Sequence, residues 1–236
     1  NVRLHHLETE RNPLAVLEYE PRRARGVRIV AGHGYSSSKH NLDFLCGFLA
    51  SHGFRTFSLD FPGHKLGASG GVLRGTGDLV DAMSAAVEFA RVPGEPLYVL
   101  GHSMGAMTAI FTAAADTSIA GAIALTTGYG RPRALESLQK AGVTDFRSGY
   151  VDGVSLPELV ASSAAEFERA LPMLAGRPQL YVAASRDAMV SAASVEDLYR
   201  RASEPKTFVT IESDHTTAAD NARGAVLQWL NQKHPR

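Results

Sequence analysis

Short apolar segments alternate with amphipathic ones. The pattern predicts an α/β fold: a mostly parallel eight-stranded sheet flanked by helices, with a small helical cap. Two further observations carry that prediction. The apolar run Pro96-Leu97-Tyr98-Val99-Leu100 enters Gly101-His102-Ser103-Met104-Gly105, and Ala106-Met107-Thr108-Ala109-Ile110-Phe111 leaves it, which reads as strand, tight turn and helix. The stretch from Gly128 to Gly176 is too long for an ordinary connection and holds two helical patterns of its own. Residues 1–236 are therefore expected to form one domain, with 128–176 inserted as a cap over the C-terminal edge of the sheet, where open α/β sheets bind ligands; a peripheral helix pair is the alternative.

In chain order, strands are expected near Val2–Glu8, Leu14–Tyr19, Val27–Ala31, Arg55–Leu59, Leu97–Leu100, Ala120–Leu125, Gln179–Ala183 and Thr207–Ile211. Arg11-Asn12-Pro13 joins the first two as a hairpin-like connection. The later strands are short and apolar on both faces, as in a parallel sheet covered by helices. Helices fit near Leu42–Ser51, Leu79–Arg91, Met104–Ala115, Ala192–Arg201 and Thr217–Asn231, and within the insertion near Pro132–Ala141 and Leu156–Leu171. In the first of these, Leu42, Leu45, Cys46 and Leu49 recur at i, i+3, i+4 and i+7, a buried stripe that makes Cys46 a core residue.

Composition narrows the function. Hydrophobic residues at 44% and charged residues at 20% suit a globular chain. Lys plus Arg and Asp plus Glu balance at 24 each, so nothing points to nucleic acid or an anionic membrane surface as a partner. No apolar run approaches transmembrane length and no secretory signal pattern stands at the start, which is Asn1 rather than Met, as a trimmed or renumbered terminus would be. The lone cysteine excludes an internal disulfide and fits a reducing compartment, so a cytoplasmic location is expected.

The turn at Ser103 has the G-x-S-x-G pattern of a nucleophile elbow, in which a serine stands between a strand and a helix that glycines allow to approach closely. A serine hydroxyl needs a base within reach, and the base needs an orienting acid. On this fold the order is serine, acid, histidine. Asp187 follows the seventh strand and His215 the eighth, so both project from the same sheet edge as Ser103. Of the competing acids, Asp214 is adjacent to His215, where the backbone makes an approach to the imidazole awkward, and Glu212 lies on the strand itself. Thr126-Thr127-Gly128-Tyr129-Gly130, after the sixth strand, contains no acid. The first oxyanion donor expected is the backbone N–H of Met104, the residue after the nucleophile.

His33-Gly34-Tyr35, Asp60-Phe61-Pro62-Gly63-His64, Gly101-His102-Ser103-Met104-Gly105, Ser185-Arg186-Asp187 and Ser213-Asp214-His215 together resemble serine hydrolases of the α/β-hydrolase fold, close to small carboxylesterases, cinnamoyl esterases and serine-aminopeptidase-like enzymes. The resemblance covers nearly the whole chain. It implies a second oxyanion donor at the Tyr35 N–H, and structural places for His33, His64 and His102 rather than a metal site. It departs from the family after the fourth strand, where a compact Gly-His-Gly-x-Ser is replaced by Gly63-His64-Lys65-Leu66-Gly67-Ala68-Ser69.

These readings imply cleavage of a small or medium carboxylic ester through an acyl-enzyme, with no metal or other cofactor. A thioesterase or acyltransferase is the first alternative, and a ligand-binding or signalling protein on the same fold is an alternative of another class. Elbow aspartates serve haloalkane dehalogenases and epoxide hydrolases, and Ser103 argues against both. Tyr129, Phe146 and Tyr150 of the insertion are expected to line the substrate pocket and Asp60 to tie the following loop; Lys65, Arg131, Arg133 and Arg147 are expected to face solvent, with the alternative that Lys65 contacts an anionic substrate or that one of the three arginines admits a carboxylate.

Overall fold

A computed structural model describes residues 1–129 and 143–235. Strands β1 (Val2–Leu7), β2 (Leu14–Tyr19), β3 (Arg28–Gly32), β4 (Arg55–Leu59), β5 (Leu97–His102), β6 (Gly121–Leu125), β7 (Gln179–Ala184) and β8 (Lys206–Ile211) form one sheet in the order β1-β2-β4-β3-β5-β6-β7-β8. β2 runs antiparallel to β1 and β4, and the remaining pairs are parallel. The α/β class read from the sequence is the class observed.

The described helices are α1 (Asp43–Ser51), α2 (Thr76–Ala90), α3 (Met104–Ala115), α4 (Val143–Ser148), α5 (Leu156–Met173), α6 (Ala192–Arg201), α7 (Ala218–Asn221) and α8 (Arg223–Lys233). The period-2 alternation of strand side chains divides the core between the two faces of the sheet. Val30, Val99 and Tyr181 pack with α2, α3, α5 and α6, whereas Ile29, Leu100 and Val182 pack with α1 and α8. The Leu45-Cys46-Leu49 stripe is buried under the sheet, and burial pushes the Cys46 thiol up to about 12. Among the described residues no helix is long and apolar enough to cross a membrane.

Three elements differ from the sequence expectation. α2 begins at Thr76 rather than Leu79, because Asp78 in its first turn accepts the Arg74 N–H at 2.8 Å and organises a start that Gly75 and Gly77 conceal. The helix expected over Thr217–Asn231 is interrupted at Ala222, where ψ is −13°. α4 was not anticipated, and the helix expected over Pro132–Ala141 lies outside the described residues. Within the 128–176 segment, α5 starts on a capping box formed by Ser155 and Glu158 and packs along α3, with Phe167 edge-on to Phe111 at 4.9 Å.

This topology brings the chain past β3, β5, β7 and β8 to one edge. Gly32 pairs with Gly101 and Ala184 with Ile211, so the turns leaving those strands begin at matched heights. Tyr35, Ser103, Asp187 and His215 lie in those turns.

Candidate active site

Ser103 has φ +54° and ψ −112°, a conformation that costs an L-residue energy and is held by its surroundings. Its N–H donates to the Leu125 carbonyl at 2.8 Å, fastening the turn to β6. The turn requires its glycines. A Cβ on Gly101 would lie 2.0 Å from the carbonyl carbon of Gly105, and one on Gly105 would lie 2.0 Å from the Gly32 carbonyl oxygen.

His215 Nδ1 lies 2.7 Å from Asp187 Oδ2, and both side chains are buried. Asp187 Oδ1 accepts the N–H groups of Met189 at 2.8 Å and Val190 at 2.7 Å, so the carboxylate is fixed by its own turn before it meets the imidazole. With Oδ2 accepting, Nδ1 carries the proton and Nε2 is left as the acceptor. Among the described residues the His215 ring hydrogen-bonds Asp187 and not Ser103, although Ser103 and His215 line one cavity of about 230 Å³.

Tyr35 lines the same cavity, and Met104 begins α3 directly behind Ser103. Among the described residues neither backbone N–H donates to a protein acceptor. At Met104 that is the ordinary state of the first turn of a helix. The loop carrying Tyr35 is pinned from two sides. The Tyr35 hydroxyl donates to the Val154 carbonyl at 2.9 Å. The buried His33 ring donates from Nδ1 to the Gly34 carbonyl at 2.8 Å and accepts the Phe61 N–H at Nε2, 3.0 Å away. Burial and the neighbouring His64 pull His33 down to about 3, so it is a neutral strut at ordinary pH.

Asp60 also ties more than the following loop. It accepts the Ala68 N–H at 2.7 Å, as anticipated, and in addition the backbone N–H of Lys39 at 2.7 Å and the Lys39 ammonium at 2.6 Å. Burial alone would raise its carboxyl, but these bonds outweigh burial and hold it below the usual range. The buried Lys39–Asp60 pair has no signature in sequence, because the partners lie on separate loops. By contrast, the Asp187 turn does have one: an aspartate accepting N–H groups two and three residues on is an Asx-type turn.

The aromatic residues expected in the pocket lie elsewhere. Tyr129 packs under the Arg201 guanidinium, 4.0 Å from its ring, and its hydroxyl donates to Glu168. Phe146 and Tyr150 meet edge-on, ring centres 5.4 Å apart, and are 69% and 37% exposed. Leu66, Leu156 and Met189 form the apolar wall instead. Lys65 pairs with Asp152 at 3.0 Å, outside the cavity. Arg147, expected in solvent, lines the cavity; Arg131 and Arg133 lie outside the described residues. Among the described residues no group of three or more His, Cys, Asp or Glu side chains is arranged to hold a metal ion.

The family model for the alpha/beta hydrolase family matches residues 29–232, and the chain belongs to that family. No curated protein matches it. Among solved structures it is similar to Est1E from Butyrivibrio proteoclasticus, determined with ferulic acid bound (16% identity over 98% of this chain and 100% of that one, TM-score 0.75). It is similar too to a thermophilic esterase from Thermogutta terrifontis (19%, 98% and 99%, TM-score 0.69). A third is the thioesterase domain from the curacin biosynthetic pathway (14%, 98% and 99%, TM-score 0.71). At these identities the likeness is one of fold.

Proposed function

We propose that the chain is a serine hydrolase that cleaves small carboxylic esters through an acyl-enzyme. The observation that carries this reading is the Asp187–His215 hydrogen bond of 2.7 Å, whose imidazole lines the cavity that also holds Ser103 on its strained turn. Ser103 Oγ attacks the ester carbonyl while His215 Nε2 takes its proton. His215 then returns that proton to the leaving alcohol, and water repeats the cycle on the acyl-enzyme. Asp187 fixes the tautomer and stabilises the imidazolium. The Tyr35 and Met104 N–H groups receive the developing oxyanion, each worth about 2.7–4 kcal/mol in comparable sites. The Ser103–His215 hydrogen bond closes when substrate orders the site, as such bonds often do. Membership of the alpha/beta hydrolase family and the fold shared with esterases support the reading.

Labelling with a fluorophosphonate, followed by peptide mapping, tests the nucleophile. Ser103 should be modified in the folded chain and Ser103→Ala should not. A panel of 4-nitrophenyl esters and acyl-thioesters then separates esterase from thioesterase. Equal turnover by Ser103→Ala would reject Ser103 as the nucleophile, and absence of both labelling and turnover would favour a binding protein on this fold.

A further inference from the structure

One guanidinium lines the Ser103 cavity with no acidic partner among the described side chains. Arg147, in the last turn of α4, lines that cavity, and its Nη1 donates to Ser36 Oγ at 3.3 Å. Among the residues whose side chains are described, no carboxylate pairs with it and no Asp or Glu lines the cavity. Other cations around this edge of the fold are neutralised: Lys65 by Asp152, Arg186 by Glu212 and Arg201 by Glu168 and Asp197. Arg147 is partly buried, and an arginine presents a planar, cationic fork of five N–H donors, of which one donates to Ser36 among the described residues.

Its position relative to the proposed chemistry is fixed by the Tyr35 turn. Ser36 directly follows Tyr35 and adopts φ +57°, the left-handed region that a serine enters at a cost. The turn that carries the Tyr35 N–H therefore also carries the hydroxyl that holds the guanidinium. Ser37 and Asn41 add neutral polar groups to the same lining, and Leu66, Leu156 and Met189 an apolar wall. Among the described residues the cavity has one guanidinium, no carboxylate and an apolar wall in its lining, which suits an amphipathic anion. Its volume of about 230 Å³ keeps that anion small.

We propose that Arg147 recognises a carboxylate, and that the site takes small esters bearing a free carboxylate a short chain away from the scissile bond. This rests on the serine-hydrolase reading above. The guanidinium fork matches a carboxylate bidentately, and charge-assisted hydrogen bonds of this kind are about twice as strong as neutral ones. A carboxylate ester should therefore outcompete its neutral methyl ester by about 10- to 100-fold in kcat/KM.

Two matched pairs test this with the full chain. Mono-4-nitrophenyl adipate against 4-nitrophenyl methyl adipate places the acid in the acyl part. 4-Acetoxybenzoate against methyl 4-acetoxybenzoate places it in the leaving group. The expected result is a preference for the acid in at least one pair, shrinking with added NaCl. Arg147→Gln should bring the ratio toward one, chiefly through a higher KM for the acid, and Arg147→Lys should retain part of it. The ratio within one protein cancels any loss of folded enzyme. Preference for the methyl ester in both pairs, or an acid preference that survives in Arg147→Gln, overturns the proposal. If the methyl esters are cleaved in a Ser103-dependent manner without any acid preference, Arg147 recognition fails and the hydrolase reading stands. If Ser103 neither labels nor supports turnover of any of the four esters, both fail together.

Discussion

His102 Nε2 lies 2.8 Å from the backbone carbonyl oxygen of His215. A carbonyl only accepts, so His102 carries its proton on Nε2 and holds the main chain of the proposed base from the position just before the proposed nucleophile. Among the described residues its buried Nδ1 has no partner, and burial together with the neighbouring His215 pulls the ring down to about 3. His102 is thus a positioning residue. Replacing it with Leu strands a buried carbonyl at a cost of about 1–3 kcal/mol and frees the His215 loop. We expect His102→Leu to lower kcat for a neutral ester by about 10- to 100-fold with little change in KM, and His102→Gln, which keeps a donor, to recover most of it. An unaltered kcat in His102→Leu would remove this role.

Asp187 is held by the Met189 and Val190 N–H groups on one oxygen and by His215 on the other. Asp187→Asn keeps the shape and the turn. It presents an amide to His215 Nδ1, where either the donor is mispaired or the imidazole adopts the other tautomer and protonates the nitrogen that the proposed mechanism needs as acceptor for Ser103. Loss of the matched tautomer costs about 10⁴ in kcat in a comparable site, and a fall of that order is expected here. Steady-state kinetics that put Asp187→Asn within about tenfold of the parent would assign the orienting role to another group.

The contacts at the elbow distinguish glycines by position. Gly101→Ala and Gly105→Ala each place a methyl 2.0 Å from backbone that has no side chain to yield. Either should destabilise the fold by about 3 kcal/mol or more and abolish fluorophosphonate labelling. A Cβ on Gly47, within α1, meets nothing within 4 Å, so Gly47→Ala should instead stabilise by about 0.5–1 kcal/mol. Urea unfolding of the three variants measures the contrast, and equal effects would mean the elbow relaxes.

Much of this architecture was legible because it is local. The strand–turn–helix around Ser103 announces itself by two glycines and a change of period from 2 to 3.6, and the bounds of α3 and α6 follow directly. The position of Asp187 was likewise legible from its place after β7. What was not legible depends on the third dimension. Arg147 stands beside Phe146 and near Tyr150 in sequence, yet the arginine reaches the cavity while the two aromatic rings meet edge-on at the surface. A short helix turns successive residues by about 100°, and the apolar type of the residue did not decide which one faced inward. Lys39 read as an ordinary surface lysine because its partner, Asp60, is 21 residues away.

That Lys39–Asp60 pair should be costly to break. Both side chains are buried, and removing one partner of such a pair typically costs about 3–5 kcal/mol because the other charge is left uncompensated. Asp60→Asn and Lys39→Met should each lower the unfolding free energy by about that amount, and the double variant by less than the sum. Asp60 joins the start of the Lys39–Leu42 turn to the loop carrying Ala68, so both single variants should also lose hydrolase activity. Additive losses in the double-mutant cycle would show that the two groups do not interact.

His33 and His102 make stability depend on pH in a definite direction. Both are fully buried and held at about 3, against about 6.5 in an unfolded chain. Above pH 6.5 neither state binds the proton, and the rings contribute no slope. Below it the unfolded chain takes up protons that the folded chain refuses, so stability falls steadily until the folded pKa is reached near 3. Over the step from pH 7 to pH 5 each ring costs about 2 kcal/mol. His64, lowered by burial, adds to the same trend, whereas Asp60, held below 3.8, matters only at more acidic pH. Urea unfolding at pH 7 and pH 5 should show this loss, and His102→Gln should remove about 2 kcal/mol of the difference. An unfolding free energy that stays level between the two pH values would mean that one or both rings take up a proton in the folded state.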